Sequence, residues 1–380
     1  MTTSSSSSSL ELGAPTAADR RFSIRVPCTS SNIGPGFDVV GLSLSLYLTL
    51  QVRISNHSTS TSSSTSSTSN QHPILHYTGI GSDDAPLDPY KNLITRCALY
   101  VLRANGKGPL FQPGISIHVH NEIPFGRGLG SSGAAVVAGI ILGDALGGLR
   151  LSRDRLLDHA LMIERHPDNV TAALMGGFVG SYLLDLSKEE RAKVDVPLSE
   201  VLPAWPDDAS AHWGPNPNGP PTGIGHYIRF GWAQEIKVIA IIPDFEVSTA
   251  LARSALPDTY SKADLIFNLQ RLAVLTTALA RSPPDAYLIF QAMQDRVHQP
   301  YRKELIPGLP RILSSVTPST HPGLLGICLS GAGPTILALA THNLESICET
   351  IGKEFEKEGI SARKEVLCVT SEGAVVQEEH

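Results

Sequence analysis

The stretch Glu122-Ile-Pro-Phe-Gly-Arg-Gly-Leu-Gly-Ser-Ser-Gly-Ala-Ala135 joins a strand-like apolar run to a long helix of small residues. Its three glycines, Gly126, Gly128 and Gly130, allow a tight turn and a close approach of the backbone to a ligand. The two serines that follow suit a helix N-terminus, where free N–H groups and the helix dipole favour an anion such as phosphate. The stretch therefore predicts a phosphate-binding loop followed by a buried helix.

The loop differs from two other nucleotide-binding patterns. It lacks the sequence Gly-x-x-x-x-Gly-Lys-Ser/Thr, so no lysine is placed to reach the phosphates as in a P-loop. The spacing of Gly126-Arg-Gly-Leu-Gly130 also departs from the Gly-x-Gly-x-x-Gly of dinucleotide-binding folds. A tight turn without a ligand is the remaining alternative, but glycines followed by Ser131, Ser132 and a helix favour an anion site.

Composition indicates well-filled cores and small-molecule partners. The chain has 380 residues, of which 42% are hydrophobic and 17% charged, so it is long enough for two domains. Its net charge of −6 and pI of about 6.1 argue against broad electrostatic binding of nucleic acid or of an anionic membrane surface. We therefore expect neither a nucleic-acid nor a membrane partner.

Cysteine usage and apolar runs bear on the compartment. The five cysteines are scattered and have no Cys-x-x-Cys spacing, so neither a disulfide framework nor a zinc site is predicted. The N-terminus has no apolar core of the signal-peptide type, and no apolar run reaches transmembrane length. We expect a cytoplasmic protein in a reducing compartment.

Polar segments interrupt the chain at three places. Residues 1–20 are serine-rich and are expected to form a disordered tail, and residues 56–71 are nearly all Ser and Thr. The second segment lies between the alternating run Leu42–Val52 and a further apolar run around Ile74, which predicts an extended hairpin loop. Residues 203–225 are rich in Pro, Gly and Asn and predict an irregular loop.

Apolar periodicity predicts a mixed chain of class α+β with a domain boundary near residue 187. The two domains would cover residues 21–187 and 188–380. The predicted helices are Asn92–Arg103, Ala134–Leu146, Arg153–Ile163, Lys262–Arg281 and Leu344–Glu358. The predicted strands are Phe22–Val26, Ile115–Val119, Ile236–Ile242, Ile327–Leu329 and Thr335–Ala340.

Two further glycine motifs accompany the phosphate loop. Near the N-terminus, Asn32 and Asp38 flank a Gly34-Pro-Gly36 turn, which can direct both polar side chains into one pocket. Near the C-terminus, Ser330-Gly-Ala-Gly-Pro334 lies between two apolar runs. This second motif predicts a glycine-rich hairpin whose backbone comes close to a ligand.

The three motifs together resemble the GHMP kinase superfamily, named for galacto-, homoserine, mevalonate and phosphomevalonate kinases. Pro124-Phe-Gly-Arg-Gly-Leu-Gly-Ser-Ser-Gly-Ala134 is similar to the superfamily pattern Pro-x-x-x-Gly-Leu-Gly-Ser-Ser-small-small, with Gly133 where Ala is commoner. Ser31–Asp38, Glu164–Asn169 and Ser248–Arg253 resemble the homoserine kinase signatures in particular. The resemblance implies a two-domain GHMP kinase fold: an N-terminal domain like domain 2 of ribosomal protein S5, a ferredoxin-like C-terminal domain, and an active site between them.

By this resemblance the chain transfers a phosphoryl group from ATP to the hydroxyl of L-homoserine, giving O-phospho-L-homoserine on the route to threonine. The resemblance also implies a homodimer, and Mg²⁺ held by Ser131 and Glu164, whose oxygens suit a hard cation. The implied nucleotide-binding residues are Asn92, Pro124, Gly126, Arg127, Gly128, Leu129, Gly130, Ser131 and Ser132.

An amino-acid acceptor carries an ammonium group, a carboxylate and, in homoserine, a hydroxyl. The resemblance implies that Asp38 and Asn32 hold the amino end and the hydroxyl. It implies that Arg253 and Arg302 clamp the carboxylate, for which the guanidinium fork is well shaped. The remaining implied pocket residues are His166, Asn169 and Thr249.

The residues leave the proton acceptor and two alternative functions open. His166 could be a general base because histidine titrates near neutrality, but homoserine kinases resemble one another in lacking such a base, and we assign none. The first alternative is another superfamily kinase, acting on a sugar or on mevalonate; mevalonate has no ammonium group to pair with Asp38. The second is a non-catalytic metabolite-binding homologue, against which the retention of Ser131 and Glu164 argues.

Overall fold

The computed structural model describes residues 19–55, 72–108, 111–204 and 216–379. The Ser/Thr-rich segment, nearly all of the predicted tail, and about half of the predicted Pro/Gly-rich loop therefore lie outside the described residues. Within the described ranges, the strands form two separate sheets, and no helix is long and apolar enough to cross a membrane.

Helices and strands are interspersed along the chain, as the α+β class requires. The strands are β1 (Arg20–Ser31), β2 (Val40–Ile54), β3 (Ile74–Gly79), β4 (Ile115–Asn121), β5 (Phe178–Leu183), β6 (Gly225–Phe230), β7 (Lys237–Pro243), β8 (Leu324–Leu329), β9 (Ile336–Ala340), β10 (Ala362–Leu367) and β11 (Val375–Glu379). The helices are α1 (Leu93–Ala104), α2 (Ser131–Gly147), α3 (Arg153–Glu164), α4 (Pro167–Met175), α5 (Lys188–Val194), α6 (Leu198–Val201), α7 (Thr249–Ser254), α8 (Lys262–Ala278), α9 (Ala286–Ala292), α10 (Gln299–Arg302), α11 (Leu309–Ser315) and α12 (Leu344–Glu356), with a 3₁₀ turn at Lys303–Leu305.

The larger sheet is organised around the long strand β2. In the described part of the chain its order is β11-β1-β2-β4-β3, with β5 paired to β2 and β6 paired to β5. The last residues of β2, Leu48–Ile54, pair with β4, while its first residues, Val40–Leu42, pair with β5. Strand β2 can therefore pair with β5 near its start and with β4 near its end, because it is long enough to change partners along its length.

The predicted hairpin around the Ser/Thr-rich segment is wrong. Strand β3 does not pair with β2 but lies beyond β4 and runs parallel to it. The alternation of apolar residues predicts that a strand exists and which face it buries, but it carries no information about the strand's partner. The sequence therefore predicted the two strands correctly and their pairing incorrectly.

Helix α2 packs so closely against α1 that small residues are required. A Cβ atom at Gly139 would lie 2.3 Å from the Ile94 carbonyl oxygen, and one at Gly143 would lie 2.7 Å from the Ala98 oxygen. Both glycines are buried, and the helix is apolar on every side, which is typical of a helix enclosed by a core. The helix begins at Ser131, three residues before the predicted start, so the serines of the loop form its first turn.

The smaller sheet is antiparallel, with the order β10-β7-β9-β8; helices α9 and α12 pack against it, and α11 packs against α12. Strand β8 joins β9 through the glycine motif at residues 330–334, which confirms the predicted hairpin. A second apolar core, including Ile239, Ile336, Ile351 and Phe355, fills the space between this sheet and its helices.

Strand pairing bears on the predicted boundary near residue 187. Strand β6 follows that position and still pairs with β5 of the larger sheet, and β11 returns from the C-terminal part to pair with β1. The smaller sheet begins only with β7 at Lys237. The boundary itself stays a prediction, but the larger sheet takes strands from both sides of it.

Candidate active site

The three glycine motifs meet at one cleft. The amide of Thr29, at the end of β1, donates to the Leu129 oxygen of the phosphate loop at 3.1 Å. The hydroxyl of Ser330 in the β8–β9 hairpin donates to the Gly128 oxygen at 2.7 Å, and the Gly331 amide donates to the Ser31 oxygen at 2.9 Å. Residues of all three motifs line this cleft, whose volume is about 220 Å³.

The loop backbone can be built only from glycine at two positions. Gly128 has φ of 78°, and a Cβ there would lie 2.4 Å from the Ser330 oxygen. Gly130 has φ of 67°, and a Cβ there would lie 2.0 Å from the Thr29 hydroxyl oxygen. Both distances are shorter than van der Waals contact, so a side chain at Gly128 or Gly130 would push the neighbouring motifs apart.

Helix α2 begins directly from this loop without a capping side chain. Gly130 is its N-cap residue and has no side chain to accept from the first amides. These N–H groups, with the hydroxyls of Ser131 and Ser132, line the cleft and can bind an anion. Leu129 is fully buried and Pro124 is buried before the turn, so both residues support the loop from behind.

A carboxylate lies beside the first turn of α2. Burial raises the pKa of Glu164, while a hydrogen bond with Ser132 and the charge of Arg253 lower it. Among the described residues Glu164 forms no ion pair, so its charge faces the cleft without a direct cationic partner. The Ser131 hydroxyl lines the same cleft as this partly buried carboxylate, and the two supply hard oxygens of the kind that fits Mg²⁺.

A second, more apolar cavity of about 360 Å³ adjoins the loop. Asn92, the N-cap of α1, forms part of its wall, but its own polar atoms are already satisfied. Its amide nitrogen donates to the Tyr77 hydroxyl at 3.0 Å and to the Pro86 oxygen at 2.9 Å, and its oxygen accepts from the Ile94 amide at 3.0 Å. Asn92 therefore shapes this cavity by holding its surrounding segments together.

Asn32 and Asp38 form a compact turn at the other side of the cleft. Both residues adopt positive φ, 59° and 55°, and the Asn32 side-chain oxygen accepts from the Asp38 amide at 2.9 Å. The Asp38 carboxylate pairs with Arg253 at 3.0 Å and lies 3.7 Å from Nδ1 of His166. The Nε of Arg253 is buried and has no hydrogen-bond partner among the described residues, so Asp38 does not satisfy every donor of this guanidinium.

The other implied pocket residues lie around this ion pair. Burial and the charge of Arg253 lower the pKa of His166, and Asp38 raises it. Asn169 links two β1 residues, because its oxygen accepts from the Thr29 hydroxyl at 2.7 Å and its nitrogen donates to the Ser31 hydroxyl at 3.0 Å. The first residue of α7, Thr249, also lines the cleft.

The two remaining arginines have different surroundings. Arg302 is only 2% exposed and donates to the backbone oxygens of Ala252 and Gly331, at 3.1 Å each. Burial lowers the pKa of its guanidinium. Arg127, on the phosphate loop, forms ion pairs of 3.3 Å with Asp244 and Glu246 on the segment after β7.

Two functional candidates were not predicted from the sequence. Asp168 is buried in the cleft wall, where burial and the nearby Asp38 raise its pKa to about 6. Asp168 lies inside the Glu164–Asn169 signature, so the sequence could have indicated it as a candidate site residue. His298 is fully buried beside Arg302 and had no such signal, because it precedes a short helix without a recognisable motif.

Comparison with known proteins agrees with this geometry. The family model described as GHMP kinases N terminal domain matches residues 92–177, and the one described as GHMP kinases C terminal matches residues 275–357. The chain is 55% identical to homoserine kinase of Saccharomyces cerevisiae, covering 95% of this chain and 99% of that protein. It is 46% identical to homoserine kinase of Schizosaccharomyces pombe, covering 94% of this chain and 99% of that protein.

Solved structures show the same two-domain arrangement. The crystal structure of homoserine kinase from Cytophaga hutchinsonii has a TM-score of 0.69 at 24% identity, covering 97% of this chain and 100% of that chain. A structure of a putative homoserine kinase from Listeria monocytogenes has a TM-score of 0.63 at 28% identity, covering 94% of this chain and 100% of that chain. The fold, the motifs and the near full-length identities lead to one conclusion: the chain belongs to the homoserine kinases of the GHMP kinase superfamily.

Proposed function

We propose that the cleft transfers the γ-phosphoryl group of ATP to the side-chain hydroxyl of L-homoserine, giving ADP and O-phospho-L-homoserine for threonine biosynthesis. One observation carries this proposal. The uncapped N-terminus of α2 and Arg253, the ion-pair partner of Asp38, border the same cleft, so a phosphate site and an amino-acid site lie side by side. Phosphoryl transfer depends on such positioning, because most of its acceleration comes from alignment and charge neutralisation.

ATP is proposed to occupy the two adjoining cavities. The triphosphate would bind the loop amides and the α2 N-terminus, where Gly126, Ser131 and Ser132 line both cavities. The adenine would enter the apolar cavity between Tyr77, Pro86 and Phe125, as flat rings bind to apolar walls, with Asn92 holding those walls in place.

We propose that Ser131 and Glu164 hold Mg²⁺ beside the phosphates, where the ion would neutralise charge on the triphosphate. The support is the partly buried Glu164 carboxylate, which forms no ion pair among the described residues. Glu164→Gln keeps a hydrogen-bond acceptor for Ser132 but removes the charge. We expect the variant to need roughly tenfold to a hundredfold more Mg²⁺ for half-maximal turnover, the range expected for one charged contact. An unchanged Mg²⁺ titration would rule out this assignment, and Glu349→Gln, exposed on α12 away from the cleft, is the matched control.

The acceptor is proposed to bind by exchange of ionic partners. Homoserine is a zwitterion, so its ammonium group can replace Arg253 as the partner of Asp38. Its carboxylate can in turn replace Asp38 as the partner of Arg253, and it can also bind Arg302. The charges of Asp38 and Arg253 remain paired throughout, which avoids the large cost of leaving an ion unpaired in a partly buried site.

In the proposed step, the homoserine hydroxyl oxygen forms a bond to the γ-phosphorus of ATP. The bond from that phosphorus to the bridging oxygen of ADP breaks, and the hydroxyl proton is released. Asn32, His166, Asn169 and Thr249 would fix the position of the acceptor. We assign no general base: His166 lies next to the Asp38 carboxylate, where a role in substrate binding is sufficient to explain it.

The test is ADP release measured with Mg·ATP and a panel of L-homoserine, mevalonate, galactose and L-serine. We expect turnover with homoserine and at most weak turnover with the others. Preferred turnover of mevalonate or galactose would keep the nucleotide site but overturn the roles of Asp38 and Arg253. Absence of turnover with all four would favour a non-catalytic metabolite-binding homologue.

We further propose that the protein is a cytoplasmic homodimer. The five cysteines, all within the described residues, form no disulfide, as expected in a reducing compartment. Helix α8 carries exposed apolar side chains, among them Leu265, Ile266 and Leu269, which could be covered by a second copy. Light scattering on the purified protein measures the oligomeric state, and a single species with the 40.5 kDa mass of one chain would overturn the dimer.

A further inference from the structure

His298 is fully buried and contacts two parts of the proposed acceptor site, the turn between Asn32 and Asp38 and the side chain of Arg302. Its Nε2 lies 2.8 Å from the Gly34 oxygen, in the turn that carries Asn32 and Asp38. Its Nδ1 lies 3.5 Å from Nη1 of Arg302. Its ring stacks on Phe37 with the ring centres 5.6 Å apart, and the guanidinium of Arg302 lies 5.0 Å from the centre of the same phenyl ring.

These contacts define how the imidazole is protonated. Arg302 has only donors, so Nδ1 of His298 must be the acceptor in their contact. The Gly34 oxygen is only an acceptor, so Nε2 must carry the proton. The ring is therefore neutral and is fixed in one tautomer by partners on both sides. Burial and Arg302 lower the pKa of His298, while Asp295 and the backbone hydrogen bonds raise it, with burial the largest effect.

Asp295 holds His298 in this position. Its carboxylate is fully buried and accepts from the backbone amides of Val297 at 2.9 Å, His298 at 3.0 Å and Gln299 at 2.7 Å. It also accepts from the Asn268 side chain at 2.7 Å and lies 3.5 Å from Nε2 of His298. The segment before α10 is thus locked by hydrogen bonds, and its imidazole is presented to the turn and the arginine together.

We propose that His298 is a positioning residue for homoserine, which holds the Gly34-Pro35-Gly36 turn and Arg302 at a fixed separation. This inference rests on the proposed function, since it assumes that Asp38 binds the ammonium group and Arg302 the carboxylate. The two charged groups of homoserine are separated by a single carbon atom. A fixed distance between Asp38 and Arg302, which would bind these two groups, therefore selects an α-amino acid and lowers the entropy lost on binding.

Two substitutions separate the two contacts of the imidazole. His298→Gln can place an N–H near the position of Nε2 and keep the Gly34 contact, but it has no acceptor at the position of Nδ1. His298→Asn can place an oxygen near Nδ1 and keep the Arg302 contact, but it is too short to reach Gly34. We expect each variant to raise the KM for homoserine roughly threefold to tenfold, as one neutral hydrogen bond predicts, with the KM for ATP within about twofold of wild type.

A double-mutant cycle with Arg302→Lys tests whether His298 acts through the arginine. We expect the effect of His298→Gln to fall below about twofold in the Arg302→Lys background, because the contact it removes is already absent. The effect of His298→Asn should persist there, because it acts through the turn. Melting temperatures of all variants establish that they fold, and if one His298 variant does not fold, the other still carries the test.

The outcomes distinguish the inference from the proposed function. If Arg302→Lys leaves the KM for homoserine unchanged, the carboxylate clamp is wrong and the inference falls with it. If Arg302→Lys raises that KM but His298→Gln is fully additive with it, the clamp stands and the inference is overturned. An equal rise in the KM for ATP and for homoserine would also overturn it, because that is the result of a loosened core rather than a misplaced ligand.

Discussion

At the scale of single residues, Arg253 and Asp38 contribute to binding rather than to stability. Their 3.0 Å ion pair involves side chains that are 33% and 30% exposed, and pairs with this much solvent contact add little to stability. The same two residues are well suited to a zwitterion, because Arg253 lines the cleft and Asp38 holds the opposite charge beside it. Substitutions there should therefore affect the use of homoserine much more than they affect folding.

We expect Arg253→Ala to raise the KM for homoserine roughly tenfold to a hundredfold, the effect of losing one charge-assisted contact, with the KM for ATP nearly unchanged. Initial rates at varied homoserine and saturating ATP measure the first value, and the reverse titration measures the second. Arg271→Ala, whose guanidinium packs on Phe267 of α8 and does not line the cleft, is the matched control. A wild-type KM for homoserine in Arg253→Ala would show that Arg253 does not bind the acceptor.

Asp168 gives the stability of the protein a defined pH dependence. Burial raises its pKa from 3.8 to about 6 in the folded protein, so the folded state retains this proton to higher pH than the unfolded chain does. The stabilisation is therefore fully present below 3.8 and is lost as the pH rises through about 6. The sign is opposite to that of a carboxylate in a salt bridge, whose contribution increases with pH.

We expect the free energy of unfolding of the wild type to increase by about 1 kcal/mol more than that of Asp168→Asn when the pH falls from about 7 to about 5. Urea unfolding of both proteins at the two pH values provides the measurement. The variant serves as its own control for all other titrating groups, because they are common to both proteins. Parallel pH dependence of the two proteins would contradict the raised pKa.

At the scale of elements, the phosphate loop and the β8–β9 hairpin are fitted to each other at Gly128. This residue needs both a positive φ and an empty space where a Cβ would be, because the Ser330 oxygen lies only 2.4 Å from that position. Gly148, at the end of α2, has φ of 59° but no atom within 4 Å of its Cβ position. Substitution of Gly148 would therefore measure backbone strain alone, and substitution of Gly128 would measure strain together with a steric clash.

We expect Gly148→Ala to lower the free energy of unfolding by about 1 kcal/mol, the cost of positive φ alone, with normal kinetics. Gly128→Ala should lower it further and should also raise the KM for ATP, because the hairpin must move away from the loop. Denaturant unfolding and ATP titration of both variants test this. Equal effects in the two variants would mean that the loop and the hairpin are not tightly fitted.

The local sequence determined some elements of this fold but not their partners. The alternation of Leu42–Val52 predicted β2, and the run of small residues predicted α2, because each pattern is a property of one segment. The parallel pairing of β3 with β4 was missed because pairing depends on contacts between segments far apart in the chain. Strand β6 was missed because most of its side chains are exposed, so no apolar alternation marks it.

The candidate site shows the same limit. Glycine motifs could be read because close backbone approach leaves a mark on the sequence. The group around His298 could not be predicted, since Asn268 and Gly34 are brought to the Asp295–His298 segment from two other parts of the chain. A buried polar residue is recognised only when its partners are known. The residue type of His298 alone does not show whether the side chain is buried or exposed.

At the scale of the whole molecule, the first and last strands of the described residues lie side by side in the larger sheet. After the smaller sheet is built, β11 returns to pair with β1 in the register Arg21–Arg25 against Val375–Glu379. Arg20 adds an ion pair of 2.6 Å to Glu378. Because β1 ends in the cleft at Ser31, both domains are connected to the strand that supports the phosphate loop. We therefore expect the described parts of the chain to unfold as one cooperative unit.

Removing β11 should lower stability without changing the site. A chain that stops after Ala374 loses several backbone hydrogen bonds at roughly 0.5–1.5 kcal/mol each, so we expect the free energy of unfolding to fall by about 2 to 4 kcal/mol. The KM for homoserine should be unchanged at 25 °C, because Arg25 and Ser31 are about 20 Å apart along an extended strand. The control is Glu378→Gln, which removes the exposed ion pair with Arg20 but keeps β11, and which should shift stability by less than about 0.5 kcal/mol. Calorimetry of the full chain and of both variants provides the measurement. Two separate transitions in the full chain would show that the larger and smaller sheets unfold independently and would contradict a single cooperative unit.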